Sequence, residues 1–377
     1  MQYLYIQDPQ QLNEICHQFS KSSVLAIDTE FVRTRTYYPK LGLLQISDGN
    51  ILALIDPVAL SDLTPFWQLL TEPSICKVLH ACSEDLEVFL KAQCKPVNLI
   101  DSQIMMAFLG HGMSLGYASM VEHFTGVELD KSESRTDWLK RPLTDKQITY
   151  AQADVEYLIA IYPKLIALLS EKQLLDNAVE ESTKLVEKKF KPINEEFLYL
   201  NIKQSWRLTR PQLNRLQFLT KWRYGLAKQR DLPLNFVVKE QTLICVAQVN
   251  PKSVGAMVNI KDIDIFDVRH QGKAMLSVLR QAANNNPEQY PLSIVRLDQY
   301  TGYKGLYKKV KNFITEVAEN SGLAIEILAS KKQINKFISW HLNLNNDHQQ
   351  QQEVDFLQGW RFELFGYALQ KYAKEQL

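Results

Sequence analysis

The feature that most constrains the fold is an alternation of short β-like runs with helical patterns along the first 170 or so residues. Helical patterns begin at Asp8-Pro9, near Ser83 and at Thr144, where cap or first-turn residues precede apolar spacing. Five segments have the composition of strands: Tyr3–Ile6, 24–28 (VLAID), 41–47 (LGLLQIS), 51–56 (ILALID) and 75–80 (ICKVLH). This alternation predicts a mixed sheet with helices packed around it.

The second of these strands, in VLAIDTEF (24–31), runs into two carboxylates. Side chains two residues apart in a strand lie on the same face, so Asp28 and Glu30 are expected to point together beside an apolar core. Two close like charges are costly there unless a positive charge neutralises them. The sequence therefore predicts a positive partner that comes from outside the chain.

Two further segments carry acids next to predicted secondary structure. In HACSEDLEVFL (80–90), Asp85 lies in the first turn of a helix that follows a strand, and in YAQAD (150–154), Tyr150 and Asp154 are four residues apart on one helix face. Both segments also have a plainer interpretation. Acids in a first turn complement the helix dipole, and a tyrosine–aspartate pair can be an ordinary helix surface.

Together, four carboxylates at the rim of a sheet make an oxygen-rich site suited to Mg²⁺ or Mn²⁺. Two such cations about 3.5–4 Å apart serve in-line displacement at a phosphodiester, where one activates water and the other stabilises the leaving oxygen. The hydroxyl of Tyr150 can orient the attacking water, although a phenol of ordinary pKa, about 10, is a poor base at neutral pH. The constellation thus predicts phosphodiester hydrolysis.

These motifs resemble the DEDD exonuclease superfamily in its tyrosine-bearing branch, whose fold is ribonuclease H-like. The branch with histidine places it five residues before the last aspartate, where this chain has Thr149. Five stretches resemble the bacterial ribonuclease D family, the last of them its helicase-and-ribonuclease-D C-terminal (HRDC) domain: DTEFVRTRTYYPKLGLLQ (28–45), KVLHACSEDLEVF (77–89), WLKRPLT (138–144), YAQADVEYL (150–158) and QRDLPLNFVVKE (229–240).

The resemblance implies an α/β exonuclease domain followed by two small all-α domains. The expected divisions are an exonuclease domain at 1–170, a helical connecting arm at 171–204, an HRDC-like domain at 205–285 and a second, divergent HRDC-like domain at 286–377. Carried over by position, Tyr150 becomes the water-orienting residue, and four residues become metal carboxylates: Asp28, Glu30, Asp85 and Asp154.

The resemblance also implies a 3′–5′ exoribonuclease that uses two divalent ions, Mg²⁺ or Mn²⁺, and releases nucleoside 5′-monophosphates. Its expected substrates are RNAs, with the 3′ ends of transfer RNA precursors among them. Two alternatives stay open from the residues alone. Two-metal chemistry does not select the sugar, so a DNA 3′–5′ exonuclease is one, and a non-catalytic nucleic-acid-binding protein is the other.

The segment after the first carboxylate pair, RTRTYYPK (33–40), combines basic and aromatic residues. Basic side chains could contact phosphates and tyrosines could stack on bases of single-stranded RNA, although an ordinary loop is the alternative. Leucine and glutamine side chains farther on are expected to line the terminal-nucleotide pocket. The predicted substrate-binding residues are Arg33, Arg35, Tyr37, Tyr38, Leu41 and Gln45.

The formal net charge of +1 conceals an asymmetry between the two halves of the chain. Residues 1–200 contain 18 Lys and Arg against 27 Asp and Glu, whereas residues 201–377 contain 25 against 15. A basic half suggests contact with a polyanion, and solvated charged faces are the alternative.

Other features predict an unremarkable cellular setting. The N-terminal MQYLYIQDPQ lacks the pattern of a signal peptide, and no apolar run approaches the roughly 20 residues of a membrane span. The five cysteines have no metal-binding or disulfide spacing. We therefore expect a cytoplasmic protein without a membrane partner, a monomer by preference, with a polar loop at 345–352.

Overall fold

The computed structural model describes residues 2–130, 132–344 and 353–376, so the polar loop expected at 345–352 lies outside the described residues. The strands are β1 (Tyr3–Ile6), β2 (Val24–Val32), β3 (Lys40–Ser47), β4 (Leu52–Ile55), β5 (Cys76–Leu79) and β6 (Leu99–Asp101). The helices among and after them are α1 (Pro9–Phe19), α2 (Thr64–Thr71), α3 (Asp85–Lys91), α4 (Ser102–Phe108), α5 (Tyr117–Thr125), α6 (Asp145–Glu171) and α7 (Leu175–Phe190).

The strands form one mixed sheet in the order β1-β4-β3-β2-β5-β6. Strand β3 runs antiparallel to both of its neighbours, β2 and β4, whereas β1 pairs in parallel with β4, β5 with β2, and β6 with β5. A turn joins β3 and β4, and within it the Asp48 carboxylate accepts hydrogen bonds from the backbone N–H groups of Asn50 and Ile51 at 2.9 and 2.8 Å. The predicted mixed sheet with flanking helices is confirmed.

Alternation along β2 separates two cores. Leu25 and Ile27 are fully buried with residues of α1, α2 and α3, whereas Ala26 is buried on the opposite face, which α6 covers. Asp28 and Glu30 continue the Ala26 series, so the strand directs both carboxylates towards α6. A register shift between Glu30 and Phe31 interrupts the β2–β3 ladder beside the second carboxylate.

The segment after α6 is more than a connection. Helix α7, in the stretch expected to be a connecting arm, buries Ala178, Ser182 and Val186, and the Ser182 hydroxyl accepts a hydrogen bond of 3.1 Å from the backbone N–H of Asp101 in β6. The arm therefore packs against the edge of the sheet. Strand β6 itself was not predicted, because three residues are too few to show a periodic pattern.

The rest of the chain is helical, as predicted. A first unit contains α8 (Arg210–Arg230), α9 (Leu234–Val237), α10 (Glu240–Val249), α11 (Val254–Val258) and α12 (Ile265–Ala283). A second contains α13 (Tyr303–Ser321), α14 (Ile325–Leu328), α15 (Lys331–His341), α16 (Gly359–Arg361), a π-helical turn (Phe362–Gly366) and α17 (Tyr367–Gln376). No helix in the described ranges combines the length and apolarity that a membrane span requires.

The two helical units are attached differently. The first has its own core, which includes Leu216, Leu243 and Met275. The second shares a continuous core with the α6 side of the sheet, and the rings of Phe108 in α4 and Trp360 in α16 lie 5.3 Å apart, edge to face.

Candidate active site

Three of the predicted carboxylates come together where β2 meets α6. One carboxylate oxygen from each of Asp28, Glu30 and Asp154 lies within 4.8 Å of the other two. Burial of Ala151 and Val155 holds α6 against the sheet, and this packing brings Asp154 to the end of the Ala26 face. Two elements that are distant in the chain thus supply one carboxylate cluster.

The surroundings of this carboxylate cluster disfavour its negative charge. Burial, followed by the neighbouring carboxylates, raises the pKa of Glu30 to about 9 and that of Asp154 to about 8, and raises the pKa of Asp28 well above its ordinary value. Within the described ranges, none of the three has a basic side chain as an ion-pair partner. Hard oxygen donors without a counter-charge fit a divalent cation such as Mg²⁺.

Asp85 lies beside this group rather than within it. It is the first residue of α3, it is 7% exposed, and its carboxylate accepts a hydrogen bond from the hydroxyl of Thr29. Burial raises its pKa to about 6, although the hydrogen bond from Thr29 opposes the rise. Its negative charge in turn raises the pKa of Asp28, Glu30 and Asp154.

Asp101, which was not predicted as a site residue, shapes the loop that leads to Asp85. Its buried carboxylate accepts hydrogen bonds of 2.9 Å from the backbone N–H groups of Ala81 and Cys82, and one of 2.8 Å from Gln103 at the start of α4. Ala81 has a φ of 55°, a left-handed conformation that a side chain disfavours. The available signal was an aspartate between an apolar run and a helix, in the N-cap position.

Tyr150 lies one turn before Asp154 on the same helix and is half-buried. Its ring packs against Trp138, with 6.1 Å between the ring centroids. Burial, together with the charges of Asp154, Glu30 and Asp28, raises the pKa of the Tyr150 hydroxyl. The hydroxyl therefore keeps its proton at neutral pH, which suits a hydrogen-bonding role rather than that of a general base.

An ion pair under the neighbouring segment supports Trp138. The guanidinium of Arg141 donates to both oxygens of Asp56 at 2.6 Å, to the Gly42 carbonyl at 2.6 Å and to the Trp138 carbonyl at 2.9 Å. Trp138 is 1% exposed, and a Cβ at Gly42 would lie 2.6 Å from its carbonyl oxygen. This close packing on β3 fixes the indole that Tyr150 contacts.

A cavity of about 540 Å³ adjoins Tyr150 and Asp154, between α6 and the residues before it. Tyr117, at the start of α5, lines this cavity and donates a hydrogen bond of 2.8 Å to the Ala153 carbonyl. Tyr117 was not predicted as a site residue, because one tyrosine in a helical pattern carries no distinguishing signal. The volume is in the usual range of small-molecule sites, roughly 300–1,000 Å³.

The predicted substrate-binding segment lies against the first helical unit. Tyr37 packs edge-on against Tyr224 of α8 at 6.0 Å, and the backbone N–H of Tyr38 donates to the Asp231 carboxylate at 2.9 Å. Arg33 forms an ion pair with Glu87, and Arg35 is exposed. The tyrosines that were expected to stack on bases therefore join two parts of the chain.

The expectation for Gln45 needs correction, whereas that for Leu41 stays a prediction. Leu41 packs with the core on the sheet face opposite α6, and Gln45, which pairs with Asp28 across β2 and β3, is fully buried. The Gln45 side chain offers no surface to a nucleotide, whereas Leu41 is only partly buried. Both polar atoms of the Gln45 amide lack a hydrogen-bond partner among the described residues, directly beside the carboxylate cluster.

Comparison with known families divides the chain into three matched regions. Residues 3–170 match a 3′-5′ exonuclease family, residues 212–279 match the HRDC domain, and residues 301–369 match the ribonuclease D C-terminal HRDC domain. The carboxylate cluster and Tyr150 lie inside the first region.

Two curated relatives match along almost their whole length. Ribonuclease D of Shewanella sp. (strain ANA-3) is 42% identical over 98% of this chain and 94% of its own, and ribonuclease D of Escherichia coli (strain K12) is 42% identical over 100% and 99%. Among solved structures, Escherichia coli RNase D, described as an exoribonuclease involved in structured RNA processing, superposes with a TM-score of 0.95 at 41% identity and covers 100% of both chains.

Proposed function

This chain belongs to the ribonuclease D family of 3′–5′ exoribonucleases, and we propose that it trims the 3′ ends of structured RNAs, transfer RNA precursors among them, by hydrolysis at the carboxylate cluster. Membership of the DEDD exonucleases implies dependence on divalent metal ions. The observation that carries the proposed site is the approach of three carboxylate oxygens to within 4.8 Å of one another, with Tyr150 on the same helix as Asp154.

We assign the metal ligands to Asp28, Glu30 and Asp154, with Asp85 beside them, and we take the native ions to be two Mg²⁺. When bound, such ions supply Lewis-acid activation of the attacking water and charge stabilisation at the leaving oxygen. The chain supplies a buried, preorganised set of oxygens, so little reorganisation accompanies binding.

Tyr150 acts as the water-orienting residue in this scheme. Its protonated hydroxyl can hydrogen-bond to the attacking water, and the Trp138 ring restricts where that hydroxyl can lie. Correct orientation of a nucleophile lowers the barrier because the entropic cost of alignment is met on binding. The cavity next to Tyr150 and Asp154, with Tyr117 on its wall, is the proposed place for the terminal nucleotide.

The first helical unit is proposed to hold the structured part of the RNA while its 3′ end reaches the cluster. Residues 201–283 contain 14 Lys and Arg against 5 Asp and Glu, whereas residues 284–377 contain 11 against 10, and the exonuclease segment carries an excess of acidic residues. Positive charge on the holding part favours the RNA backbone in a sequence-independent way.

The test is digestion of a transfer RNA with a 3′ extension, labelled at its 5′ end, by purified protein with Mg²⁺. We expect stepwise shortening from the 3′ end and nucleoside 5′-monophosphates as products. A DNA strand of matched sequence, digested alongside, tests the alternative sugar. Endonucleolytic fragments, equal or faster digestion of the DNA, or full activity of a folded Asp28→Asn variant would contradict the proposal.

A further inference from the structure

Helix α12 of the first helical unit presents one face that is both basic and aromatic. The residues 3, 4, 7 and 14 positions after Phe266 lie on the same side of the helix as Phe266, opposite the buried Val268, Met275 and Leu279. At 1.5 Å per residue, they span about 21 Å. All of its residues are exposed to solvent. This α12 basic face consists of Phe266, Arg269, His270, Lys273 and Arg280.

The positive charge of this face is not neutralised by its own helix. Asp267 is the single acid between Ile265 and Ala283, and it is buried, where it accepts hydrogen bonds from the Lys239 backbone N–H and the Thr242 hydroxyl. The structure, over the residues it describes, shows no ion pair at Arg269, Lys273 or Arg280. The face therefore offers three charges to an external anion.

Phe266 makes the face more specific than a row of charges. Phe266 is 68% exposed, and among the large hydrophobic residues that the structure describes only Tyr367 is equally exposed. The Arg269 guanidinium lies 5.9 Å from the centroid of the Phe266 ring. Full exposure of a phenylalanine costs hydrophobic free energy that a binding partner can recover. Exposed aromatic rings beside basic side chains are typical of surfaces that bind single-stranded nucleic acid.

The Phe266 end of this face lies at the end of the first helical unit that packs against the segment after β2, the strand that carries Asp28 and Glu30. Residues 238 and 239 link the start of α12 to the C-terminal end of α8, because the Lys239 N–H donates to Asp267 and Arg223 donates to the Val238 carbonyl. The same end of α8 contacts the segment after β2 through Tyr224 and Asp231. At the opposite end of the unit, Asn214 of α8 donates to the Ala282 carbonyl.

We infer that the α12 basic face binds the sugar-phosphate backbone of the RNA substrate, with Phe266 stacked on an unpaired base upstream of the 3′ end. This inference rests on the proposed function, since it names the surface that holds the RNA. An RNA rather than an acidic protein is the favoured occupant, because an exposed aromatic ring within the basic row matches bases and phosphates together.

The experiment compares two matched triple variants with the wild-type full-length chain. One is Arg269→Gln/Lys273→Gln/Arg280→Gln on α12, and its control is Lys304→Gln/Lys308→Gln/Lys311→Gln on the exposed side of α13, which removes the same charge. Binding of a 3′-extended hairpin RNA is measured by fluorescence anisotropy in EDTA at several salt concentrations. Hydrolysis of the same RNA is measured with Mg²⁺ at saturating RNA.

For the α12 variant, we expect the slope of log affinity against log salt to become shallower by about 2 to 3. Each lost phosphate contact reduces the slope by about 0.7–0.9, and the variant removes three charges. The hydrolysis rate at saturating RNA should be unchanged, and the α13 control should keep the wild-type slope. Phe266→Ala should weaken binding about tenfold without changing the slope, as loss of one stacked base predicts.

An unchanged slope in the α12 variant, provided circular dichroism shows the wild-type helix content, overturns the inference, and so does an equal loss in the α13 control. Competition by poly-glutamate as effective as that by single-stranded RNA would also overturn it in favour of an acidic protein partner. These outcomes leave the proposed function intact, because they concern where the RNA binds, whereas that proposal is tested by the digestion products of the wild-type chain and by the Asp28→Asn variant.

Discussion

At the scale of single residues, burial, followed by the charges of neighbouring carboxylates, raises the pKa values of Asp28, Glu30 and Asp154, so ionisation of the cluster is costly. Replacement of Asp154 by Asn keeps the shape of the side chain and removes one negative charge from the cluster. We therefore expect Asp154→Asn to be more stable than wild type in EDTA at pH 8. The same variant should lose at least about 100-fold in activity, since even outer-shell changes cost 10–100-fold in metal sites.

The measurement is thermal unfolding in EDTA and in Mg²⁺, alongside RNA hydrolysis. The wild-type melting temperature should rise with Mg²⁺, and that of Asp154→Asn should rise much less. A variant that is inactive because it is misfolded would be less stable in both buffers, so lower stability in EDTA would contradict this account of the cluster.

Tyr150 should behave differently, because it is proposed to orient water rather than to bind an ion. Tyr150→Phe keeps the ring that packs on Trp138 and removes the hydroxyl. We expect a fall of about 100-fold in the hydrolysis rate, at the lower end of the range for residues that assist proton transfer and nucleophile positioning. Stabilisation by Mg²⁺ should match wild type. Loss of that stabilisation would make Tyr150 part of the ion site instead.

The cluster could be anticipated from the sequence because local rules place its members. Strand alternation sets Asp28 with Glu30, and helix spacing sets Tyr150 with Asp154. Tyr37 shows the limit of such rules. Its neighbour Tyr224 is nearly 190 residues away, and only the docking of the helical unit decides whether that ring contacts protein or RNA.

At the scale of elements, the loop between β5 and α3 depends on one buried carboxylate. The two carboxylate oxygens of Asp101 accept separate hydrogen bonds from the backbone N–H groups of Ala81 and Cys82. Asp101→Asn replaces one of these oxygens by an NH₂ group, which would face a backbone N–H, so that two donors meet. We expect the loop to shift and Asp85 with it. The Mg²⁺ concentration for half-maximal activity should rise by about 10–100-fold, as for other residues that orient ligands.

Direct binding separates this positioning role from general damage to the fold. Mn²⁺ binding to the Asp101→Asn protein, followed by electron paramagnetic resonance, should weaken in parallel with the activation curve, while activity at saturating metal largely recovers. Unchanged Mn²⁺ affinity with a lower maximal rate would show that Asp101 acts only on stability.

Elements with strong end signals were predictable, and elements made by tertiary contact were not. The Thr144–Gln147 and Thr209–Gln212 capping boxes mark the starts of α6 and α8, and both are present. Helix α7 was recognised as helical, yet its burial against β6 was not, because its apolar positions are sparse and Ser182 contributes through a hydrogen bond.

At the scale of the whole molecule, the cluster makes stability depend on pH in a defined direction. The pKa values of Asp85, Asp154 and Glu30 are raised to about 6, 8 and 9, so the folded chain binds more protons than the unfolded chain above pH 4. Stability in EDTA should therefore fall as the pH rises from about 6 to 9, by about 1.4 kcal/mol per pH unit for each extra proton held.

Mg²⁺ should reverse this trend, because the cation replaces the protons as counter-charge. We expect the rise in melting temperature with Mg²⁺ to be larger at pH 9 than at pH 6, measured by differential scanning calorimetry. An Asp28→Asn/Asp154→Asn variant is the control, and its stability should fall less than that of the wild type over this range, because the buried Glu30 and Asp85 still ionise there. A wild-type stability that increases with pH in EDTA would contradict the raised pKa values.

The second helical unit, which shares a hydrophobic core with the exonuclease part, should also be held there by one buried ion pair. Arg361 is 3% exposed and donates to Glu181 of α7 at 2.5 Å and to the carbonyls of Ile327 and Leu328, so it joins α7 to α14 and α16. Glu181→Ala leaves that guanidinium buried without its counter-charge, at a cost of up to about 3 kcal/mol.

We expect faster deuterium exchange in α14–α17 of the Glu181→Ala variant and earlier proteolysis there, while hydrolysis of a short unstructured RNA persists. Lys221→Gln, which breaks an exposed pair with Glu196, should change none of these. Loss of short-RNA hydrolysis in Glu181→Ala would instead mean that the docked unit shapes the catalytic cluster itself.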